Sequence, residues 1–161
     1  MNKIWYNYNG DKMKKFLTIS FIVVLIDRIT KILVQSFLTD RLYIIKKFFY
    51  LVYVKNIGAA FSILEGKSML LIFVGLVTLG LLFYYIKKNG LVNIGYAFLF
   101  GGILGNLIDR VIYGYVIDFI GFEIGDYQFP IFNMADIAIV ISAFIIILVG
   151  DKNENNSWRK Y

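Results

Sequence analysis

Four apolar runs dominate the chain, at residues 16–38, 68–86, 91–108 and 134–150. Each is close to the ~20 residues an α-helix needs to cross a ~30 Å hydrocarbon core. In lipid, backbone N–H and C=O groups must be satisfied within the segment, which constrains each run to a helix. The expected fold is therefore an integral membrane, mainly α protein with four transmembrane helices, in one membrane domain over residues 1–161. A 59% hydrophobic content exceeds that of an ordinary soluble domain and supports this reading.

The first run starts like a signal peptide, "MKKFLTISFIVVLI", but no small-residue cleavage site follows. "DRITK" comes instead and the apolar pattern resumes, so an uncleaved span is expected. Met13 is a possible native start, with residues 1–12 contributing little. Four spans place both termini on one side. Lys3, Lys12, Lys14, Lys15, Lys87, Lys88, Lys152, Arg159 and Lys160 lie on the terminal side. Arg41, Lys46, Lys47, Lys55, Lys67 and Arg110 lie on the other, over longer segments. Nine basic residues against six places both termini in the cytoplasm.

The net charge of +6 fits juxtamembrane lysines against anionic lipid rather than a nucleic-acid partner. The chain has no cysteine and no histidine. That removes disulfides, Ser-His and Cys-His nucleophile pairs and the usual zinc sites. No metal and no cofactor are expected. Acid–base chemistry must come from Asp, Glu, Lys or Tyr.

The first connector, 39–67, holds "RLYIIKKFFYLVYV", rich in strand formers. A small extracytoplasmic β-sheet is expected there, between the first and second helices. "NIGAAF" follows, where Gly58, Ala59 and Ala60 carry almost no side-chain bulk. An ordinary turn and a place for another backbone to approach are both open readings.

Ionisable residues within spans are costly and are functional candidates. Asp27 and Lys31 lie four apart on the first helix and can pair. Asn106, Asp109 and Arg110 share one face at the end of the third helix, where interfacial anchoring is the plainer role. Asp118 lies between Ile and Phe in "GYVIDF", with Val116 and Ile120 on the same side of an extended segment. Asn133 is a natural N-cap for the fourth helix, which puts Asp136 at its third position, a favourable place for any acid. By topology Asp118 and Asp136 both fall near the outer membrane boundary, and a connection spanning 18 positions lets them meet. Two carboxylates sharing one proton form a water-activating pair. A proton-coupled transporter, a Ser-Lys peptidase using Lys31, and a carboxylate-bound divalent metal are weaker alternatives.

Four motifs in order, "DRITK", "KNIGAAF", "GNLIDR…GYVIDF" and "FPIFNMAD", resemble those of bacterial lipoprotein signal peptidase, signal peptidase II. The resemblance covers the chain from about Met13. It implies an inner-membrane aspartic endopeptidase that cleaves prolipoproteins before a diacylglyceryl-modified cysteine. On the family pattern Asp118 and Asp136 are the catalytic pair. Asn56, Gly58, Ala59, Asn106, Asp109, Arg110 and Asn133 line or brace the site, supported by Asp27 and Lys31. The resemblance also implies a sheet that cradles the substrate, and inhibition by globomycin-type peptides. A monomer in contact with membrane lipid is expected.

Overall fold

The computed structural model describes residues 2–58, 64–89 and 93–149. Four helices and four strands follow in the order α1 (Asn2–Phe37), β1 (Leu42–Ile45), β2 (Phe49–Asn56), α2 (Ser68–Asn89), α3 (Ile94–Tyr113), β3 (Val116–Ile124), β4 (Tyr127–Gln128) and α4 (Met134–Val149). Among the described residues, two helical segments, Ser68–Lys88 and Ile94–Tyr113, are long and apolar enough to cross a membrane; α4 is apolar but shorter.

α3 is the central helix, packed against α1, α4 and α2. Its sequence explains why. A side chain on Gly101 would meet Ser20 O and Val23 of α1 at 2.8–2.9 Å, and one on Gly102 would meet Ala135 O of α4 at 2.6 Å. The two glycines therefore let two backbones approach α3 on neighbouring faces, the small-residue packing that lipid-embedded helices favour. Ser20 Oγ donates to Ala97 O at 3.0 Å across the α1–α3 contact. Asn93 caps the start of α3 by accepting from Gly95 N at 2.9 Å. Gly114, at φ 79°, ends it in the left-handed conformation that a C-terminal glycine allows. α2 has a mean hydropathy of 2.4 and is mostly exposed, as suits a helix facing lipid.

The sheet runs β1-β2-β3-β4, antiparallel throughout. This departs from the expected position. β1 and β2 do come from the first connector, but β3 and β4 come from the segment between α3 and α4. β2 needs a partner for its backbone groups, and the apolar stretch after Gly114 supplies it. Tyr50, fully buried, lies opposite Gly121, where any side chain would strike its ring at 2.2 Å.

The helix limits differ too. α1 extends back to Asn2, so residues 2–12 continue the first helix. α3 runs on to Tyr113 rather than ending at 108, because Gly114 provides its stop. Asn106, Asp109 and Arg110 thus sit within the last turns of α3.

Candidate active site

The site forms where the end of α3, the start of α4 and strands β2 and β3 converge. Phe119 N and Ile120 N both donate to Phe132 O, at 3.0 and 2.8 Å, and Phe132 N donates back to Ile120 O at 3.1 Å. These bonds clamp β3 to Phe132, two residues before the start of α4. They bring Asp118 of β3 beside Asn133 and Asp136, although Asp118 and Asp136 are 18 residues apart in sequence.

Asn133 and Asp136 cap α4 reciprocally. Asp136 N donates to Asn133 Oδ1 at 2.9 Å, and Asn133 N donates to Asp136 Oδ2 at 3.2 Å. This is a capping box with Asp as the returning acid. The first turn of α4 also receives Asp27 from α1, whose Oδ1 accepts from Ala135 N at 3.0 Å. Gly105 makes room for it, since a side chain there would meet Asp27 Oδ2 at 2.8 Å.

The four aspartates here, Asp27, Asp109 and Asp118 buried and Asp136 half-buried, fall into two classes. Asp27 and Asp109 are neutralised. Lys31 Nζ, fully buried, lies 2.8 Å from Asp27 Oδ2 and 2.7 Å from Asp109 Oδ2. Arg28 Nη2 donates to Asp109 Oδ1, and Asp109 Oδ2 also accepts from Ile117 N at 3.2 Å, tying the start of β3 to α3. Two acids and two bases leave this cluster neutral, the condition for keeping charges buried.

Asp118 and Asp136 have no ion-pair partner among the described residues. Neutral donors hold them instead. Asp118 Oδ2 accepts from Asn56 Nδ2 at 2.8 Å and Oδ1 from Asn133 Nδ2 at 2.6 Å. Asp136 Oδ1 accepts from Asn106 Nδ2 at 2.8 Å. Each asparagine has its amide turned by a group that can only donate. Lys31 Nζ donates to Asn106 Oδ1 at 3.0 Å, Gly58 N to Asn56 Oδ1 at 2.9 Å, and Asp136 N to Asn133 Oδ1. The amide nitrogens are thereby directed at the two carboxylates. Burial pushes the Asp118 carboxyl up to about 6, the nearby charge of Asp136 adds to the rise, and the amides of Asn56 and Asn133 oppose it.

Asp118 and Asp136 line one cavity of ≈ 690 Å³ together with Asn56, Asn106 and Arg110. Its remaining walls are apolar, from Val116, Pro130, Phe132 and the Ile137–Ile141 turn of α4. Such a cavity can admit an apolar chain while presenting two carboxyl groups to one polar centre.

The chain matches, over residues 19–150, the model of the family described as Signal peptidase (SPase) II. The chain belongs to the signal peptidase II family. It is accordingly a protease. Lipoprotein signal peptidase of Halothermothrix orenii is 43% identical over 132 residues, which cover 79% of this chain and 88% of the relative. That of Staphylococcus carnosus is 40% identical over 139 residues, covering 83% and 86%. A bacterial membrane enzyme solved by the in meso method at 2.3 Å superimposes with a TM-score of 0.77 at 32% identity, over 92% of each chain. A second, at 1.9 Å, gives 0.75 at 34% identity, over 86% of this chain and 94% of the other.

The structure brings together Asn56, Gly58, Asn106, Arg110, Asp118, Asn133 and Asp136, with Asp27, Lys31 and Asp109 directly behind them. Ala59 lies outside the described residues. Arg110 pairs with no acid among the described residues. Its guanidinium donates to Gly58 O at 3.0 Å and Asn106 O at 3.4 Å, fastening the turn after β2 to α3. Arg28 was not expected at the site. It follows Asp27 directly, and adjacent helical residues point apart, so no spacing signal marked it.

Proposed function

We propose that this signal peptidase is an aspartic endopeptidase in which Asp118 and Asp136 activate one water. The observation that carries the reading is the division of the four aspartates clustered here: Asp27 and Asp109 are matched to cations, and Asp118 and Asp136 face a common cavity held only by amide N–H groups.

Asp136 is the ionised partner, at the N-terminal end of α4 where the helix dipole favours an anion. It draws a proton from water as the water oxygen attacks the scissile carbonyl carbon. Asp118 holds the other proton. The amide oxygens of Asn56 and Asn133 are turned away to Gly58 N and Asp136 N, so that proton finds no acceptor in the asparagine network and points to the cavity. It passes to the carbonyl oxygen, giving a tetrahedral gem-diol. Collapse of that diol breaks the C–N bond. The amine leaves with the proton taken up by Asp136, and the diol returns its proton to Asp118.

The substrate is a prolipoprotein carrying diacylglycerol on the cysteine that follows the cut. Four spans, α1 to α4, would set the cavity near the outer face of the bacterial cytoplasmic membrane, with both termini cytoplasmic. The apolar signal helix and the diacylglyceryl chains then arrive by lateral diffusion, and the ≈ 690 Å³ cavity with its apolar α4 wall suits them. A Ser-Lys mechanism finds no support, because the Lys31 ammonium is enclosed by two carboxylates and Asn106.

The test is cleavage of a diacylglyceryl-modified precursor by the purified chain, with the new N-terminus read by mass spectrometry. Wild type should cut before the modified cysteine. Asp118→Asn and Asp136→Asn should each lose at least ~10³-fold in kcat, the middle of the range for a positioned acid or base, with helical content unchanged. More than a tenth of wild-type activity in either would refute the paired role.

A further inference from the structure

Arg28 is the one cation of the buried cluster to which the mechanism gives no task. It follows Asp27 on α1, and its side chain is 17% exposed. Its Nη2 donates to Asp109 Oδ1 and lies 3.8 Å from Asp27 Oδ2. Its Nε–H meets no acceptor among the described residues. Arg28 is not part of the cavity wall. The guanidinium therefore serves the cluster and does not reach a substrate lying beside Asp118 and Asp136.

The other oxygen of Asp109 faces β3. Asp109 Oδ2 takes two donors, Lys31 Nζ at 2.7 Å and Ile117 N at 3.2 Å. In a strand the N–H groups of alternate residues point to the same edge, and Phe119 N donates to Phe132 O at 3.0 Å. β3 is therefore gripped on the edge away from β2 at Ile117 and at Phe119, the two neighbours of Asp118. The Phe119 grip is backbone to backbone. The Ile117 grip hangs on a carboxylate, whose terminal torsion is soft and roughly two-fold. Arg28 on Oδ1 stops that torsion. Without it the carboxylate is free to turn and share both oxygens with the Lys31 ammonium, and Oδ2 leaves Ile117 N.

We propose that Arg28 is a positioning residue for the reaction: through Asp109 it holds the backbone of Ile117, and so fixes Asp118 against Asn56 and Asn133. The inference rests on Asp118 being one of the two reacting acids. Charge balance alone would ask only for a cation nearby, not for a donor on the oxygen opposite Ile117 N. Counting donors separates the two. In Asp109→Asn the side chain has one acceptor oxygen and an NH2 group. Arg28 meets it on one side, Lys31 and Ile117 N on the other, so the NH2 group must face a donor. Adding Arg28→Met clears one side. The amide oxygen then serves Lys31 and Ile117 N, and the NH2 group faces no donor. Asp109→Asn should thus be harmful alone and mended by Arg28→Met.

The test uses the purified full chain in detergent, with Arg28→Met, Arg28→Lys, Asp109→Asn and the double variant Arg28→Met with Asp109→Asn. Deuterium exchange, read by mass spectrometry on peptides spanning residues 115–119, reports the hold on Ile117 N. The kcat and KM for a diacylglyceryl-modified precursor, taken below the Asp118 midpoint of about 6, report the reaction. Arg28→Met and Asp109→Asn should lose protection at Ile117. Their kcat should fall roughly 10²-fold, the cost of about 1 Å of misplacement, with KM little changed. Arg28→Lys keeps the charge and a donor, and it should recover most of both, as should the double variant. If Arg28→Met alone does not fold, Asp109→Asn against the double variant carries the same comparison. Equal protection in Arg28→Met and wild type would overturn the hold on β3, as would a double variant no better than Asp109→Asn. Lost protection with an unchanged kcat would overturn the role in the reaction and leave a structural ion pair. An Asp118→Asn enzyme that still cleaves would instead overturn the aspartic reading, with the exchange result left intact.

Discussion

Lys31→Met is the most informative single change away from the two cavity aspartates. Methionine keeps the length of the side chain and deletes its charge. Lys31 Nζ lies 2.8 Å from Asp27, 2.7 Å from Asp109 and 3.0 Å from Asn106, with nothing exposed to solvent. Without it the buried cluster of two acids and two bases carries a net −1, with Arg28 as its only cation. Removing one partner from a buried ion pair costs about 3–5 kcal/mol, because the remaining charge is stranded. For a chain of this length that corresponds to a Tm lower by roughly 6–20 °C, at about 2–4 °C per kcal/mol. The assay is thermal loss of helical circular dichroism in detergent. The cause is isolated by Asp27→Asn in the same chain. Asparagine keeps an oxygen for Ala135 N and restores the charge balance against Arg28 and Asp109. The double variant should therefore be more stable than Lys31→Met alone. A double variant whose loss equals the sum of the two single losses would refute the stranded-charge reasoning, as would a Lys31→Met Tm within a degree of wild type.

Three further outcomes are expected. Burial raises the Asp118 carboxyl from 3.8 to about 6, so the fold binds this proton more tightly than the unfolded chain does. That stabilisation is complete below 3.8 and is lost as pH rises through about 6; at 1.36 kcal/mol per pH unit it amounts to about 3 kcal/mol, and Asp118→Asn should lack this slope in melting experiments between pH 4 and 8. If Asp118 must hold its proton, kcat/KM should also fall as pH rises through about 6. Gly102→Ala should push α3 from α4 and lower Tm, because its Cβ would lie 2.6 Å from Ala135 O, whereas Gly80→Ala, with nothing within 4 Å in the interior of α2, should hold or slightly raise Tm. Asn133→Ala should uncap α4 and remove a donor from Asp118; a loss of ~1 kcal/mol is expected for the cap alone, with the pH midpoint of kcat/KM moving upward, since the lost hydrogen bond had favoured the charged form.

Much of the site was legible because its signals are local. Apolar runs mark the helices, Asn133 three residues before Asp136 marks a cap, and alternation around Asp118 marks a strand. What escaped is carried by contacts across long sequence separations. The pairing of β2 with β3 joins residues 60 to 73 positions apart, so the sheet read as belonging to the first connector alone. Asp27 caps a helix 108 residues away, a role that its four-residue spacing to Lys31 does not reveal. The pairing of Arg28 with Asp109 and of Arg110 with Gly58 O depends on how α1, α3 and β2 converge. Gly101, Gly102 and Gly105 read as part of an apolar run, and only packing shows that they set the distances between helices.

The central claim is that Asp118 and Asp136 act on one another across a single cavity. It is tested most directly, and without activity, by infrared difference spectroscopy of a protonated carboxyl during a pH titration. Wild type should lose one such proton near pH 6, and Asp118→Asn should lack the signal. In Asp136→Asn the same transition should move to lower pH, because the negative charge that holds it up is gone. A transition that stays in place when Asp136 is neutralised would contradict the pair.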